Sequence, residues 1–171
     1  MKEYTYIDLF SGPGGLCTGF ISEGFVPRIA VEWSDTTVIT YAKSHNAEIY
    51  ELKTLLDNLG HLEDVLVKNK RTCLIHGDIN QVSNDMIREI LKKKFGENTV
   101  DVVTGGAPCE SFSMAGKRLE DDDRNDLFSN ILRIAHAVQA KFTLFENVPG
   151  LLTKKRDGKK GGQVEYVFNE F

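Results

Sequence analysis

The sequence is poor in cysteine and in long hydrophobic runs, and it carries no excess of positive charge. Its 3 cysteines, Cys17, Cys73 and Cys109, are widely spaced and form no CxxC pair, which argues against a disulfide framework and against a structural zinc site. No apolar run approaches the roughly 20 residues of a membrane span, and the N-terminus lacks the features of a secretory signal. We therefore expect a cytoplasmic protein without membrane contact.

The net charge of −4 excludes a strong overall attraction for nucleic acid. Proteins that bind DNA or RNA usually present a basic patch or stripe to the phosphate backbone. If this protein handles DNA, much of the binding surface must therefore lie elsewhere.

What the sequence does contain is an alternation of strand-like and helix-like segments. Short β-rich runs are separated by longer stretches with apolar residues at helical spacing. This alternation predicts a doubly wound α/β fold, in which a mostly parallel sheet has helices on both faces. The length of 171 residues is that of a single domain, which we assign to residues 1–171. The predicted strands are Tyr4–Phe10, Val26–Trp33, Arg71–His76, Thr99–Thr104 and Lys141–Glu146.

Several helical segments can be assigned around these strands. Asn125–Gln139 has a continuous apolar face, and Ser34 and Ser83 have side chains preferred at helix N-caps. Glu48–Lys70 is predicted to be an additional amphipathic helix between the second and third strands. Lys154–Gly162 is predicted to be a charged, glycine-rich loop. The apolar stripe after this loop stops abruptly, which we interpret as a helix cut short in a fragment of a longer protein.

A glycine-rich turn follows the first strand, at the place where open α/β sheets bind ligands. Ser11, Gly12, Gly14 and Gly15 belong to this turn, where glycine lets a ligand approach the backbone. Such turns also occur for steric reasons alone, so the signal needs support. Glu32 provides it, because it ends the second strand twenty residues after Gly12, where such folds place an acid against ribose hydroxyls.

Two further residues extend this predicted nucleoside site. Trp33 can present a flat face to an adenine ring, although a tryptophan is more often part of a core. Asp78, after the third strand, offers a carboxylate to an exocyclic amino group. A nicotinamide dinucleotide is disfavoured because Cys17 occupies the third glycine position of the G-x-G-x-x-G motif. A cofactor that contains adenosine without a pyrophosphate fits better.

A cysteine after the fourth strand is the candidate nucleophile. Cys109 lies in a loop at the ligand-binding edge that is stiffened by Pro108, whereas Cys17 and Cys73 have the settings of buried core thiols. Glu146 closes the strongly apolar fifth strand. We expect burial there to raise the pKa of its carboxyl group, so that it can donate a proton to a ring nitrogen. The alternative role for Glu146 is to cap the following turn.

A zinc deaminase must also be considered, because it combines H-x-E with P-C-x-x-C. The sequence contains His61-Leu62-Glu63 and Pro108-Cys109, but Phe112 occupies the position of the second zinc cysteine. We therefore predict that no metal is bound.

The segments that carry these features closely resemble, in the same order, the N-terminal motifs of cytosine C5 DNA methyltransferases. They are DLFSGPGG at 8–15, EW at 32–33, GDI at 77–79, GAPCESFS at 106–113 and ENV at 146–148, and RNDLFSNILRI at 124–134 is similar to the helix after the family's catalytic loop. The resemblance implies an S-adenosylmethionine-dependent methyltransferase fold, with S-adenosylhomocysteine as the product. The cofactor contacts that it implies are Phe10, Ser11, Gly12, Gly14, Gly15, Glu32, Trp33, Asp78, Ile79, Gly106, Pro108 and Leu127.

The resemblance also implies a reaction. The thiolate of Cys109 would add to C6 of a flipped-out cytosine while Glu146 contacts N3, which makes C5 nucleophilic enough to take the methyl group. The family's arginine-bearing motif, target-recognition domain and closing C-terminal segment have no counterpart in this sequence. Double-stranded DNA would therefore be bound mostly through a missing region, or one that a second chain supplies. The alternatives are a tRNA cytosine C5 methyltransferase and a fragment, such as half of a split enzyme, that binds the cofactor without turnover.

Overall fold

A computed structural model of the chain describes residues 3–107, 127–156 and 158–170. In these ranges, no helix has the length and hydrophobicity that crossing a membrane requires. The strands are β1 (Tyr4–Leu9), β2 (Phe25–Glu32), β3 (Glu48–Glu51), β4 (Cys73–His76), β5 (Val102–Gly105), β6 (Phe142–Phe145), β7 (Lys155–Arg156) and β8 (Lys159–Lys160). The α-helices are α1 (Gly15–Ser22), α2 (Asp35–Ser44), α3 (Leu52–Asp57), α4 (Asn84–Ile90), α5 (Ser129–Ala137) and α6 (Gly162–Glu170). Shorter helical turns lie at Leu62–Asp64, Ile79–Gln81, Leu91–Phe95 and Pro149–Thr153.

The main sheet is parallel throughout and has the strand order β3-β4-β2-β1-β5-β6. The chain builds outward from β1 on one side and then returns to add β5 and β6 on the other. Parallel neighbours need crossover connections, which place helices on the faces of the sheet. The predicted doubly wound α/β fold is therefore confirmed.

Strand β1 has a hydrophobic core on each of its faces. Ile7 and Leu9 pack in the core that also contains side chains of α4 and α5. Tyr6 packs on the opposite face with Cys17 of α1 and Tyr41 of α2. All of these side chains are fully buried, and each buried side chain of this size contributes roughly 1.5–3 kcal/mol to stability. The carboxyl end of β1 is thus held rigidly from both sides.

The predicted helix over Glu48–Lys70 is wrong. Glu48–Glu51 forms the edge strand β3, which pairs in parallel with β4, and only Leu52–Asp57 is α-helical. Tyr50 of the strand and Leu62 of the following turn reach the same core as the helix. Apolar residues therefore recur at intervals close to helical spacing, although three different local conformations position them.

A buried ammonium group anchors the segment that begins with β3. The side chain of Lys94 has no exposed surface, and its Nζ donates to Glu48 Oε2 over 2.8 Å, to the Val67 carbonyl over 2.6 Å and to Asn69 Oδ1 over 3.0 Å. A buried charge is costly unless it is paired and hydrogen-bonded, and here it is both. These contacts fix the segment against the rest of the sheet.

Other predicted segments are partly confirmed. Lys154–Gly162 is not an irregular loop, because it contains the antiparallel pair β7–β8. Helix α5 lies within the predicted Asn125–Gln139, whose first two residues are outside the described ranges. Ser83 caps α4 by accepting from the N–H of Met86 over 3.1 Å. Ser34 occupies the N-cap position of α2, but its side chain makes no capping hydrogen bond.

Strand β6 is an edge strand with exposed apolar side chains. Among the described strands it pairs only with β5. Phe142 and Leu144 are 70% and 42% exposed, while Phe145 contacts the small core that includes side chains of α6. The strand is therefore much less buried than its apolar sequence predicts.

Candidate cofactor and catalytic site

The predicted site residues gather at one edge of the sheet. Because the strands of the main sheet are parallel, their carboxyl ends lie at the same edge, and the loops after them open to one side. Glu32 is the last residue of β2, and these loops contain the glycine turn after β1, Trp33 after β2, Asp78 after β4 and Glu146 after β6. Their placement follows from the strand topology, while their roles in binding stay predictions.

Glu32 joins the glycine turn to the loop after β2. The N–H of Gly12 donates to Glu32 Oε2 over 2.8 Å, and the N–H of Ser34 donates to Oε1 over 2.9 Å. The residue is only 7% exposed. Each carboxylate oxygen has two lone pairs, so both oxygens keep acceptor capacity after these bonds are made. Glu32 can therefore hold the two loops together and still accept hydrogen bonds from hydroxyl groups of a ligand.

The glycine turn has an uncommon backbone. Phe10, Gly12 and Gly14 have φ angles of 56°, 54° and 94°, in the left-handed region. A bulky residue such as Phe10 rarely adopts this conformation, and such positions cluster at functional sites. At Gly14, a Cβ atom would lie 2.1 Å from His45 Nε2, so a side chain there would collide with His45, the residue that follows α2. The turn thus favours glycine at positions 12 and 14, whereas Phe10 adopts a backbone conformation that is unfavourable for its residue type.

Trp33 and Asp78 both lie at the surface. Trp33 is 74% exposed, which rules out the alternative that it is a core residue. Isolated exposed aromatic residues are ordinary, so this exposure by itself assigns no role. The Oδ1 of Asp78 accepts from the N–H of Asn80 over 2.9 Å, and the neighbouring Ile79 is buried. Both side chains are accessible to a ligand at the sheet edge.

Several buried polar atoms at this edge have no hydrogen-bond partner among the described residues. They are Asp8 Oδ2, Ser11 Oγ, Thr104 Oγ1 and Asn147 Nδ2. These residues lie at or just beyond the ends of β1, β5 and β6. Native proteins leave few buried polar atoms unsatisfied, so such a group calls for ordered water or a polar ligand.

Asp8 is a buried residue at this edge that the predicted set of site residues does not include. Burial raises its pKa to about 7, and the neighbouring Glu32 carboxylate adds to the shift. Asp8 is therefore partly protonated near neutral pH. The available signal was a charged residue inside the apolar run YTYIDLF, which ends in the glycine turn.

The predicted burial of Glu146 is wrong. Glu146 is exposed, because it follows the edge strand β6. Its N–H donates to the Gly105 carbonyl over 3.1 Å, and a Cβ atom at Gly106 would lie 2.7 Å from Glu146 Oε2. The carboxylate therefore faces the start of the loop that contains the predicted nucleophile. Pro108 and Cys109 lie outside the described residues.

A hydrogen-bonded network links α5 to the loop after β4. Arg133 donates to Asn130 Oδ1 and to the Ile79 carbonyl, each over 2.8 Å, and Asn130 donates to Asn80 Oδ1 over 3.0 Å. Leu127, just before the helix, packs against the main core. The network thus fixes the loop of Asp78 relative to Leu127. Sequence patterns miss it, because polar residues on a helix usually face solvent.

The sequence profile of C-5 cytosine-specific DNA methylases matches residues 4–67 and 64–170. The chain therefore belongs to the C-5 cytosine-specific DNA methylase family. The matched ranges include the glycine turn, Glu32, Asp78, Cys109 and Glu146, which confirms the family indicated by the sequence motifs.

Individual relatives are longer than this chain. Type II methyltransferase M1.HphI of Haemophilus parahaemolyticus is 34% identical over 96% of this chain and 37% of its own length. Type II methyltransferase M.AquIA of Picosynechococcus sp. is 32% identical over 98% of this chain and 56% of its own. A solved structure of a DNA modification methyltransferase encoded within an E. coli prophage has a TM-score of 0.68 and 27% identity, over 98% of this chain and 37% of its own. The chain thus spans between 37% and 56% of the length of these proteins.

Proposed function

We propose that this chain is the cofactor-binding and catalytic part of an enzyme that transfers a methyl group from S-adenosylmethionine to C5 of cytosine in DNA. Membership of the family supports the type of reaction. The observation that carries the proposal is the bond between Gly12 and Glu32 at a sheet edge rich in unsatisfied polar atoms. The names of the type II methyltransferase relatives support a restriction–modification setting.

The residues at this edge fit S-adenosylmethionine. Glu32 keeps acceptor capacity for the ribose hydroxyls, Trp33 offers an exposed ring face to adenine, and Asp78 offers a carboxylate oxygen to the adenine amino group. Ser11 Oγ is a buried polar atom that a ligand can satisfy. When bound, the cofactor supplies an electrophilic methyl group on a positively charged sulfur.

Cys109 and Glu146 are the proposed catalytic residues. C5 of cytosine is a poor nucleophile, and addition of the Cys109 thiolate to C6 places electron density on C5. After methyl transfer, loss of the C5 proton and departure of the cysteine give 5-methylcytosine. Glu146 would hold or donate a proton at N3. Its exposed position beside Gly106 supports this role, because the flipped-out base must arrive from the solvent side.

Double-stranded DNA is the proposed substrate, bound mostly by a region outside this chain. The net charge of −4 provides little attraction for phosphates, and the family relatives contain additional length. We propose that the region corresponding to this additional length, in the same polypeptide or in a second chain, supplies the contacts to DNA.

Cofactor binding is tested by calorimetry with S-adenosylhomocysteine. Glu32→Gln should bind about tenfold or more weakly than the unaltered chain, because a hydrogen bond to a charged group contributes about 1.5–3 kcal/mol. Glu23→Gln is the matched control, since Glu23 is an exposed residue at the end of α1. Equal binding by the Glu32 and Glu23 variants would remove Glu32 from the site.

The covalent step is tested with DNA that carries 5-fluorocytosine at the target position. The chain, supplied with the region that completes its relatives, should form a stable adduct, because fluorine cannot leave as a proton does. Cys109→Ser should abolish the adduct, since a hydroxyl is a far poorer nucleophile at neutral pH.

Cys17→Ser is the control for this experiment, because Cys17 Sγ lies in the core and accepts from the hydroxyl groups of Tyr6 and Tyr41, and a serine hydroxyl can also accept. Normal methylation by the Cys109 variant would contradict the mechanism. Adduct formation with tRNA but not with DNA would identify an RNA methyltransferase instead.

A further inference from the structure

His76, the last residue of β4, lies between two other elements of the same sheet edge. Its Nδ1 is 3.0 Å from Glu51 Oε1 at the end of β3, and its Nε2 is 3.1 Å from Asp35 Oδ1 at the start of α2. The His76 side chain is only 18% exposed, whereas those of Asp35 and Glu51 are 90% and 62% exposed. An enclosed ring thus directs both of its nitrogens at carboxylates from different elements.

These contacts favour the charged form of the ring. Ionised carboxylates only accept hydrogen bonds, and a neutral imidazole has a single N–H, so only imidazolium can serve Glu51 and Asp35 together. The hydrogen bond to Glu51 is the main cause that raises the pKa of His76, and the backbone of Trp33 and the charge of Asp35 act in the same direction against burial. The Glu32 carboxylate, on the neighbouring strand, is directed at the Gly12 and Ser34 N–H groups instead.

The elements that His76 joins carry the residues proposed to bind adenine. Trp33 immediately precedes the turn into Asp35, and Asp78 follows His76 by two residues. The intervening Gly77 donates its N–H to the Glu32 carbonyl over 2.9 Å, so the loops after β2 and β4 are in direct contact. A shift of the Asp35 turn relative to His76 would therefore change the spacing between Trp33 and Asp78.

We propose that His76, as imidazolium, is a positioning residue that holds the β2–α2 turn against the ends of β3 and β4 and so sets the adenine side of the cofactor site. The inference rests on the proposed function, because it concerns the binding of S-adenosylmethionine and its product. It assigns no contact between His76 and the cofactor. His76 acts through Asp35 on Trp33 and through the β4 loop on Asp78.

This role has a pH dependence of defined sign. Well below its pKa, the His76 ring is fully protonated and makes both contacts. As the pH rises through that raised pKa, the ring loses a proton and with it one of the two hydrogen bonds. Cofactor affinity should therefore fall with rising pH. The partner carboxylates are largely solvated, so the effect is modest, and we expect about a fivefold loss, at the lower end of typical couplings between sites.

The experiment measures the affinity for S-adenosylhomocysteine by calorimetry from about pH 5.5 to about pH 9. This range includes the pH values at which a histidine with a raised pKa loses its proton. His76→Gln should remove the step attributed to His76 and bind at all pH values like the unaltered chain at high pH. Glu51→Gln, which leaves the ring in place, should shift the step to lower pH. His136→Gln is the control, because His136 is an exposed residue on α5.

Asp8 has a pKa of about 7 and adds its own pH dependence, but it is present in every variant, so the difference between curves isolates His76. The same titration followed by NMR of the imidazole protons should give a raised pKa for His76 that falls in Glu51→Gln. Identical affinity curves for the unaltered chain and both the His76 and Glu51 variants would overturn the inference while leaving the proposed function intact. Failure of the unaltered chain to bind at any pH would contradict the proposed function, and the inference with it.

Discussion

Asp8 and Glu32 place two carboxyl groups close together at the buried end of β1, and this pair makes stability depend on pH. The Asp8 carboxyl group has a pKa of about 7 in the folded chain, raised by burial and by Glu32, against about 3.9 in an unfolded chain. Between these values the folded state binds more protons than the unfolded state. Stability should therefore fall as the pH rises from about 4 to about 7.

Asp8→Asn should remove this dependence. Relative to the unaltered chain, the variant should gain on the order of 3 kcal/mol of stability between pH 4.5 and pH 8, because it has no proton to lose. Urea unfolding at the two pH values measures the difference. Asp57→Asn, at the exposed end of α3, is the control and should change little. A constant difference between Asp8→Asn and the unaltered chain at both pH values would rule out this account.

Individual contacts differ in how far the sequence predicts them. The bond between Gly12 and Glu32 follows from a fixed spacing between two strand ends, so the motif predicts that the residues lie together. The contacts of His76 do not follow from any such motif, because Glu51 reaches the ring only through a strand that the hydrophobic pattern does not reveal. Sequence patterns predict a contact between two residues only when the strands or helices that carry both residues are recognised in the sequence.

At the scale of elements, Gly77 connects the β3–α3 segment to the cofactor edge. A Cβ atom at Gly77 would lie 2.5 Å from Leu52 Cβ, which belongs to the start of α3 and cannot swing away as the end of a flexible side chain can. A larger residue would therefore move α3 or the loop of Asp78. The close approach of these two elements is the structural reason for glycine here.

Gly77→Ala should lower the free energy of unfolding by about 1–3 kcal/mol, the usual cost of overpacking, and should also weaken S-adenosylhomocysteine binding. Gly19→Ala is the matched control, since Gly19 lies within α1 with no atom near its added Cβ, and it should be neutral or stabilising by up to about 1 kcal/mol. Thermal unfolding and calorimetry measure the two effects. Unchanged stability in Gly77→Ala would show that Leu52 can move away without loss.

The elements that sequence patterns assign incorrectly share a physical cause. β3 is four residues long and lies at the sheet edge, where only Tyr50 is buried, so it lacks the long apolar run of the central strands. β6 has such a run but lies at the opposite edge, so Glu146 is exposed. Burial depends on strand order, and a single strand's composition does not contain that information.

At the scale of the whole molecule, charge limits what the chain can do alone. With a net charge of −4, the chain alone should bind a duplex of about 20 base pairs no more tightly than the weakest non-specific complexes of DNA-binding proteins. The expected dissociation constant is about 10⁻⁴ M or weaker at physiological salt. Fluorescence anisotropy of labelled DNA measures this.

Adding the region that completes the relatives should raise the affinity for DNA and make it steeply dependent on salt concentration, because cationic side chains then displace counterions. Tight binding of DNA by the chain alone would place a DNA-binding surface within residues 1–171. It would contradict the proposal that a region outside this chain supplies most of the contacts to DNA.

The position of β6 at the edge of the described sheet has a consequence for how this chain behaves in concentrated solution. Among the described strands β6 pairs only with β5, and a strand edge beside exposed residues such as Phe142 and Leu144 is a template on which another strand can add, whichever molecule carries it. Two copies that meet at this edge would compete with any natural covering segment for the same hydrogen bonds. Aggregation would then depend on which strand pairs with β6 first after synthesis. The outcome would be determined by the relative rates of pairing and not by the stability of the folded state.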